Sequence, residues 1–291
     1  MAVARSIGAR SVAPIGFGAA GLSLPEPPTE QDSVRVLQTA LDEGMTLLDT
    51  AACYVPSHRE QGHNESLIAK ALAGWGGDRD SVLVATKCGI TRIAEGGTIF
   101  TDFVASGVEQ SLRRNCEQSL ASLGVDRLDL LQLHSPPADT HFDEVVGTLA
   151  DLQREGKVAM IGLCNVTLEQ LDAAQALVEV VSVQNKLNPG HRTDLDLVGA
   201  CETRGIAFLA YSPLGGLGAG ARELGARNAV FADVAAARGS SVQQVALAWE
   251  LALSPVVIPI PGCRRVETTL ASAAAMELVL TDEELARLDA A

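Results

Sequence analysis

Residues 128–133 read Leu-Asp-Leu-Leu-Gln-Leu, and residues 158–163 read Val-Ala-Met-Ile-Gly-Leu. Both runs are apolar almost throughout, the pattern of strands buried on two faces of a parallel sheet. Between them lies a helical stretch over 141–155. Thr140 with Asp143 marks its start by the spacing of a capping box in its Asp variant, and Gly156 can stop it. Strand, helix and like strand make one right-handed crossover unit, which closes only as part of a larger parallel sheet.

The same alternation runs outward in both directions. Candidate strands fall at 13–18, 46–50, 82–86, 129–133, 158–163, 180–184, 206–211 and 256–260. The segments between most of them read as helices. In 104–123, Val104, Val108, Leu112, Cys116, Leu120 and Leu123 recur at helical spacing before Gly124. Thr29 with Asp32, Thr167 with Gln170 and Thr281 with Glu284 mark further helix starts. Eight strands with no linker or low-complexity tract predict one α/β domain over residues 1–291, a (β/α)8 TIM barrel. An open doubly wound sheet is the alternative.

Composition narrows the function. The 291 residues are 47% hydrophobic and 20% charged, which excludes a disordered chain. The net charge of −14 argues against nucleic-acid partners and anionic membranes, which need positive potential. The most apolar stretch, 245–261, is broken by Glu250, Pro255, Pro259 and Pro261, so no membrane span is expected. The first ten residues carry Arg5 and Arg10 and no apolar segment of the secretory kind. Cys53, Cys88, Cys116, Cys164, Cys201 and Cys263 form no CxxC pair, which suits free thiols in the cytoplasm and no metal site.

Gly16-Phe17-Gly18-Ala19-Ala20-Gly21 matches a dinucleotide fingerprint in letters only. That motif needs a helix to begin at once, and Pro25, Pro27 and Pro28 forbid one. The glycines read better as a tight exit from the first barrel strand.

Active sites of such barrels lie at the C-terminal strand ends. Those ends carry Asp49, Tyr54, Lys87, His134, Cys164, Asn165, Gln184, Tyr211, Ser212 and the Gly262–Arg265 segment. Singly, each fits a cap, a satisfied core group or packing. Together, four ionisable types on one mouth point to catalysis. Lys87 follows the apolar run 82–85, so it needs a buried partner, and Asp49 is the candidate. A nearby Lys lowers a tyrosine pKa, and a histidine can bond the same substrate oxygen. This suits proton donation to a carbonyl oxygen. No side chain supplies hydride, so a nicotinamide cofactor is implied.

Seven segments then carry a likeness: 44–54 (Gly-Met-Thr-Leu-Leu-Asp-Thr-Ala-Ala-Cys-Tyr), 84–87 (Val-Ala-Thr-Lys), 129–134, 156–165, 183–185, 210–214 and 258–262. In order and spacing the chain resembles the aldo-keto reductase superfamily over nearly its whole length. The resemblance implies a barrel with a short N-terminal β-hairpin closing its bottom. It implies Tyr54 as general acid, Lys87 lowering its pKa, Asp49 pairing with Lys87, and His134 orienting the carbonyl. Cys164, Asn165 and Gln184 would hold the nicotinamide carboxamide, and Tyr211 would stack on its ring. Ser212, Leu214, Gly262 and the glycine-rich stretch 215–220 would approach the pyrophosphate. Arg264 or Arg265 would meet the 2′-phosphate of NADPH, favoured over NADH because arginine matches phosphate bidentately. The adenine end departs from the family pattern in having Ala271-Ser272.

The expected substrate is a small-molecule aldehyde or ketone. The alternatives are a dedicated sugar or secondary-metabolite ketone or enone, or a cofactor-binding regulatory subunit. The chain ends soon after its last helical pattern, which predicts an open site. Phe17, Phe100, Phe103, Phe142 and Phe231 are candidates for an apolar wall, though each reads better as core. A monomer is the default expectation.

Overall fold

In the computed structural model, described over residues 3–24, 26–92, 99–100, 107–137, 142–216 and 220–291, an antiparallel hairpin comes first: β1 (Arg5–Ile7) and β2 (Arg10–Val12). Eight parallel strands follow in one sheet: β3 (Phe17–Gly18), β4 (Leu47–Asp49), β5 (Leu83–Cys88), β8 (Leu128–Leu133), β9 (Val158–Cys164), β10 (Val180–Lys186), β11 (Ala207–Tyr211) and β12 (Val257–Pro259). Each pairs with its neighbours in this order. All eight coincide with the strands read from the sequence, because each is buried nearly end to end. A second short hairpin, β6 (Thr91–Arg92) with β7 (Ile99–Phe100), carries no alternation long enough to be read beforehand.

The first and last strands meet across a seam. Gly16 N–H donates to Pro259 O (2.9 Å) and Gly18 N–H to Pro261 O (3.0 Å). A Cβ on Gly18 would lie 2.6 Å from Ile260 O, so a side chain there would hold the barrel open. The glycine motif is therefore a closure device. A single 3-10 turn, Ala19–Leu22, follows it, and the first α-helix, α1 (Glu30–Asp42), begins only after the prolines. The prolines of the last strand fit the seam. Ile260 N–H bonds Ala210 O on β11, while Pro259 and Pro261 present only their carbonyls to β3.

Helix starts follow the expected chemistry. The Thr29 hydroxyl caps α1, and Thr167–Gln170 and Thr281–Glu284 form full capping boxes. Gly124 ends the helix Val108–Leu123 at φ 66°, a conformation glycine adopts without strain. Thr140, the expected cap of the helix Phe142–Arg154, lies outside the described residues, as do Phe103 and the side chain of Phe100. Phe17 and Phe231 are core residues, and Phe142 packs against the core.

Side chains fill the barrel in alternation. Ile7 and Val12 of the hairpin plug its N-terminal end against Leu47, Leu83, Leu130 and Ile258. All six cysteines are free and buried. Among the described residues no helix is long and apolar enough to cross a membrane.

One core residue breaks the pattern. Glu250, on the helix Val242–Leu253, is fully buried, and neither carboxyl oxygen has a hydrogen-bond partner among the described residues. Burial holds its pKa well above the ordinary carboxylate value. The native state thus favours the protonated form. That contribution to stability is full below the unfolded pKa and is lost as pH rises through the folded one. Glu250→Leu is expected to stabilise the protein by about 1–3 kcal/mol at neutral pH, with a smaller gain near pH 4. Urea unfolding at the two pH values checks both the sign and the trend.

Candidate active site

The inward alternation that plugs the barrel bottom with apolar residues ends in polar ones at the top. Leu47 is followed two residues on by Asp49, and Leu83 and Ala85 by Lys87. Leu130 is followed by Gln132 and His134, and Leu209 by Tyr211. A period of two carries every one of these side chains to the same interior.

The deepest polar layer is a closed network around an ion pair. Lys87 Nζ donates to both Asp49 carboxylate oxygens (2.8 and 2.6 Å) and to Thr50 O (2.8 Å). That accounts for the donors of an ammonium that is 1% exposed. Gln184 Nε2 adds a bond to Asp49 Oδ1 (2.7 Å), and Gln132 Nε2 a longer one (3.4 Å). Ser182 Oγ in turn donates to Gln132 Oε1 (3.4 Å). Gly162 makes room for this layer, since a Cβ there would lie 2.2 Å from Ser182 Oγ. Burial alone would lower the Lys87 pKa, but Asp49, with smaller contributions from Tyr54 and Cys164, raises it overall and the ammonium stays charged. Gln132 and Ser182 went unrecognised in the sequence. Their one signal is a polar residue at an inward position of an otherwise apolar strand.

Above the pair stands Tyr54, its ring centroid 5.1 Å from Lys87 Nζ. Its ring meets His134 edge-on, with centroids 5.8 Å apart. Burial pushes the Tyr54 pKa up, and the Lys87 charge pulls against it without overcoming it. The Lys87 charge thus acts on Tyr54 in the direction the resemblance implies, and burial acts against it. His134 is driven the other way. Burial first, then the Lys87 charge, lowers its pKa to about 3, so the imidazole is neutral. Its Nδ1 lies 3.4 Å from Cys53 Sγ.

A cavity of about 330 Å³ opens over these groups. Asp49, Tyr54, His134, Asn165, Gln184, Tyr211, Ser212, Leu214 and Gly262 line it. Lys87 lies behind Tyr54, and Cys164 is buried behind the wall. Asn165 Nδ2 donates to His134 O (2.8 Å), and Tyr211 Oη donates to Asn165 Oδ1 (2.9 Å). Asn165 and Ser212 hold positive φ values of 57° and 53°, the strained backbone that collects at functional sites. Arg264 and Arg265 are not on the cavity wall. Arg264 reaches Leu24 O (3.5 Å) and Glu26 O (3.4 Å), and Arg265 begins the helix Val266–Ala274. Of the stretch 215–220, residues 217–219 lie outside the described residues. Among the described residues no group of three His, Cys, Asp or Glu side chains is placed to hold a metal ion.

The Asp–Lys pair, tyrosine and neutral histidine on one barrel mouth match a known family. Residues 14–291 fit the model of the aldo/keto reductase family. The chain belongs to the aldo/keto reductase family. It is an oxidoreductase of that family, and related proteins span its length. It is 33% identical to a pyridoxine 4-dehydrogenase of Escherichia coli (strain K12), covering 98% of this chain and 96% of that protein. The fold superposes on an aldo-keto reductase from Klebsiella pneumoniae solved with NADPH at a TM-score of 0.81, with 27% identity over 100% of this chain and 95% of that one. A glycerol dehydrogenase from Gluconobacter oxydans gives a TM-score of 0.82, with 27% identity over 99% and 94%. These aldo/keto reductases share the barrel, and the hairpin expected from the resemblance is present here.

Proposed function

We propose that this aldo/keto reductase reduces the carbonyl of an aldehyde or ketone to an alcohol with NADPH, Tyr54 giving the proton. The observation that carries the reading is the charged Lys87–Asp49 pair beneath a protonated tyrosine, beside a neutral histidine on the same cavity.

The residues present fit a dinucleotide. The wall at Gly18 and Gly262 is bare backbone, with Gly18 O 3.4 Å from where a Cβ on Gly262 would lie. Ser212, Gly215 and Gly216 all hold positive φ, a backbone suited to binding anionic oxygens through N–H groups. Asn165, Gln184 and Tyr211 would hold the nicotinamide end, with Cys164 behind them. Ser212, Leu214 and Gly262 would hold the pyrophosphate, and Arg264 or Arg265 the 2′-phosphate. Bound there, NADPH supplies the hydride.

The protein's own groups do the rest. Tyr54 Oη and His134 both address the substrate oxygen as negative charge develops on it. Tyr54 then yields its proton to that oxygen. The cation beneath limits the rise of the phenol pKa, so transfer is less uphill than burial alone would make it. Asp49 keeps Lys87 charged and fixed, and Gln184 and Gln132 hold Asp49.

NADPH oxidation with a reactive aromatic aldehyde, followed by absorbance, tests the reading. Aldehyde and alcohol pairs of pyridoxine and glycerol are the first physiological candidates, given the names of two relatives. No consumption with any aldehyde, ketone, sugar ketone or enone, despite NADPH binding, would overturn it. Arg264→Ala and Arg265→Ala are expected to weaken NADPH about 10-fold or more and NADH far less, since a charge-assisted bond to phosphate is worth about 1.5–3 kcal/mol. Equal losses for the two cofactors, measured by fluorescence titration, would show that neither arginine reads the phosphate.

A further inference from the structure

We infer that Cys53 is a positioning residue for His134: its thiol donates to Nδ1, which leaves the ring proton on Nε2, facing the cavity. The inference rests on the proposed carbonyl reduction for its consequence, though not for its geometry.

Cys53 Sγ lies 3.4 Å from His134 Nδ1 and is 1% exposed. No other hydrogen bond to that imidazole occurs among the described residues; the remaining bonds of His134 are to its backbone, through Cys88 O and Asn165 Nδ2. A neutral imidazole carries one ring proton, and its position is set by what the other nitrogen bonds. His134 is neutral, since burial holds its pKa near 3. Cys53 keeps its proton, since burial pushes the thiol up to about 12.

Two arrangements are then open. In one, Nδ1–H points at sulfur, a weak acceptor, and a bare Nε2 lone pair faces the cavity. In the other, the thiol gives its hydrogen to a good nitrogen acceptor, and Nε2–H faces the cavity that His134 lines. The second satisfies both groups better. Only the second leaves His134 a donor to a carbonyl oxygen. No electron or net proton moves; a single hydrogen is assigned to one nitrogen rather than the other. Cys53 immediately precedes Tyr54, so one short segment sets both groups that address the substrate oxygen.

Long-range ¹H–¹⁵N spectra of the full chain labelled at its 5 histidines report which ring nitrogen carries the proton, without substrate. A His134→Gln sample assigns the signal. Wild type is expected to show Nε2–H alone. Cys53→Ala is expected to show a mixture of tautomers and a kcat about 2–10-fold lower, the worth of a modest hydrogen bond. Cys53→Ser keeps a donor and is expected to restore the single tautomer and most of kcat. Nδ1–H in wild type, or an unchanged His134 signal in Cys53→Ala, would overturn the inference. The spectrum is read on the protein alone, so absent turnover would count against the proposed reaction while the signal still decides the tautomer.

Discussion

Tyr54→Phe is expected to lower aldehyde turnover by ~10²-fold or more while leaving NADPH binding nearly intact. The variant removes one hydroxyl and keeps the ring. The edge contact with His134 at 5.8 Å and the face above Lys87 at 5.1 Å both survive. No described group hydrogen-bonds the Tyr54 hydroxyl within the protein, so its loss strands no buried partner and the fold should melt as wild type. What disappears is the proton donor on the cavity wall. His134 cannot replace it, because a ring with a pKa near 3 is neutral at neutral pH, and the N–H of a neutral imidazole can donate a hydrogen bond but is too weak an acid to give up its proton. Turnover by absorbance and binding by fluorescence separate the two effects. A variant retaining more than about a tenth of wild-type turnover would remove Tyr54 from the acid role. The raised phenol pKa adds a sign. A lowered tyrosine would lose its proton, and the reaction its acid, in mildly alkaline solution. A raised one keeps it past the ordinary value of ~10, so turnover should show no alkaline fall from Tyr54 below that pH.

The barrel was legible because its strands are buried on both faces and so read as continuous apolar runs, as 128–133 does. The ion pair was legible for a related reason: a lysine ending such a run at 87 has nowhere to go but inward. Other features depend on contacts between strands far apart in sequence. Gln132 and Gln184 hold Asp49 from β8 and β10, Ser182 holds Gln132 in turn, and nothing local to any of them announces the bond. The pull of Lys87 on Tyr54 was legible, but the burial that opposes it belongs to the whole barrel and no local residue announces it. Glu250 reads in sequence as an ordinary helix residue, because only packing decides that its face has no water. Arg264 follows the same logic. Its carbonyl partners Leu24 and Glu26 come from the opposite end of the chain, across the seam that Gly16 and Gly18 close.

Lys87→Met should cost about 3–5 kcal/mol of stability and abolish most turnover, and a second substitution should separate the two losses. The ammonium makes bonds of 2.6–2.8 Å to Asp49 and Thr50 in a site with almost no water. Methionine fills similar space but leaves the Asp49 carboxylate, itself 3% exposed, with amide donors alone. An unpaired buried charge is costly, whereas replacing both partners of a buried pair by neutral groups is often tolerated. Asp49→Asn combined with Lys87→Met should therefore recover most of the lost stability in urea unfolding. It should recover no turnover, because the cation that opposes the burial of Tyr54 is still missing. If the double variant regained activity with stability, Lys87 would be a structural group, and the proton would leave Tyr54 without its help. If Lys87→Met alone proved as stable as wild type, the amide donors of Gln184 and Gln132 would suffice for Asp49 without a cation. The bidentate contact at 2.6 and 2.8 Å, against single amide contacts at 2.7 and 3.4 Å, argues that the cation is the larger part of what holds Asp49.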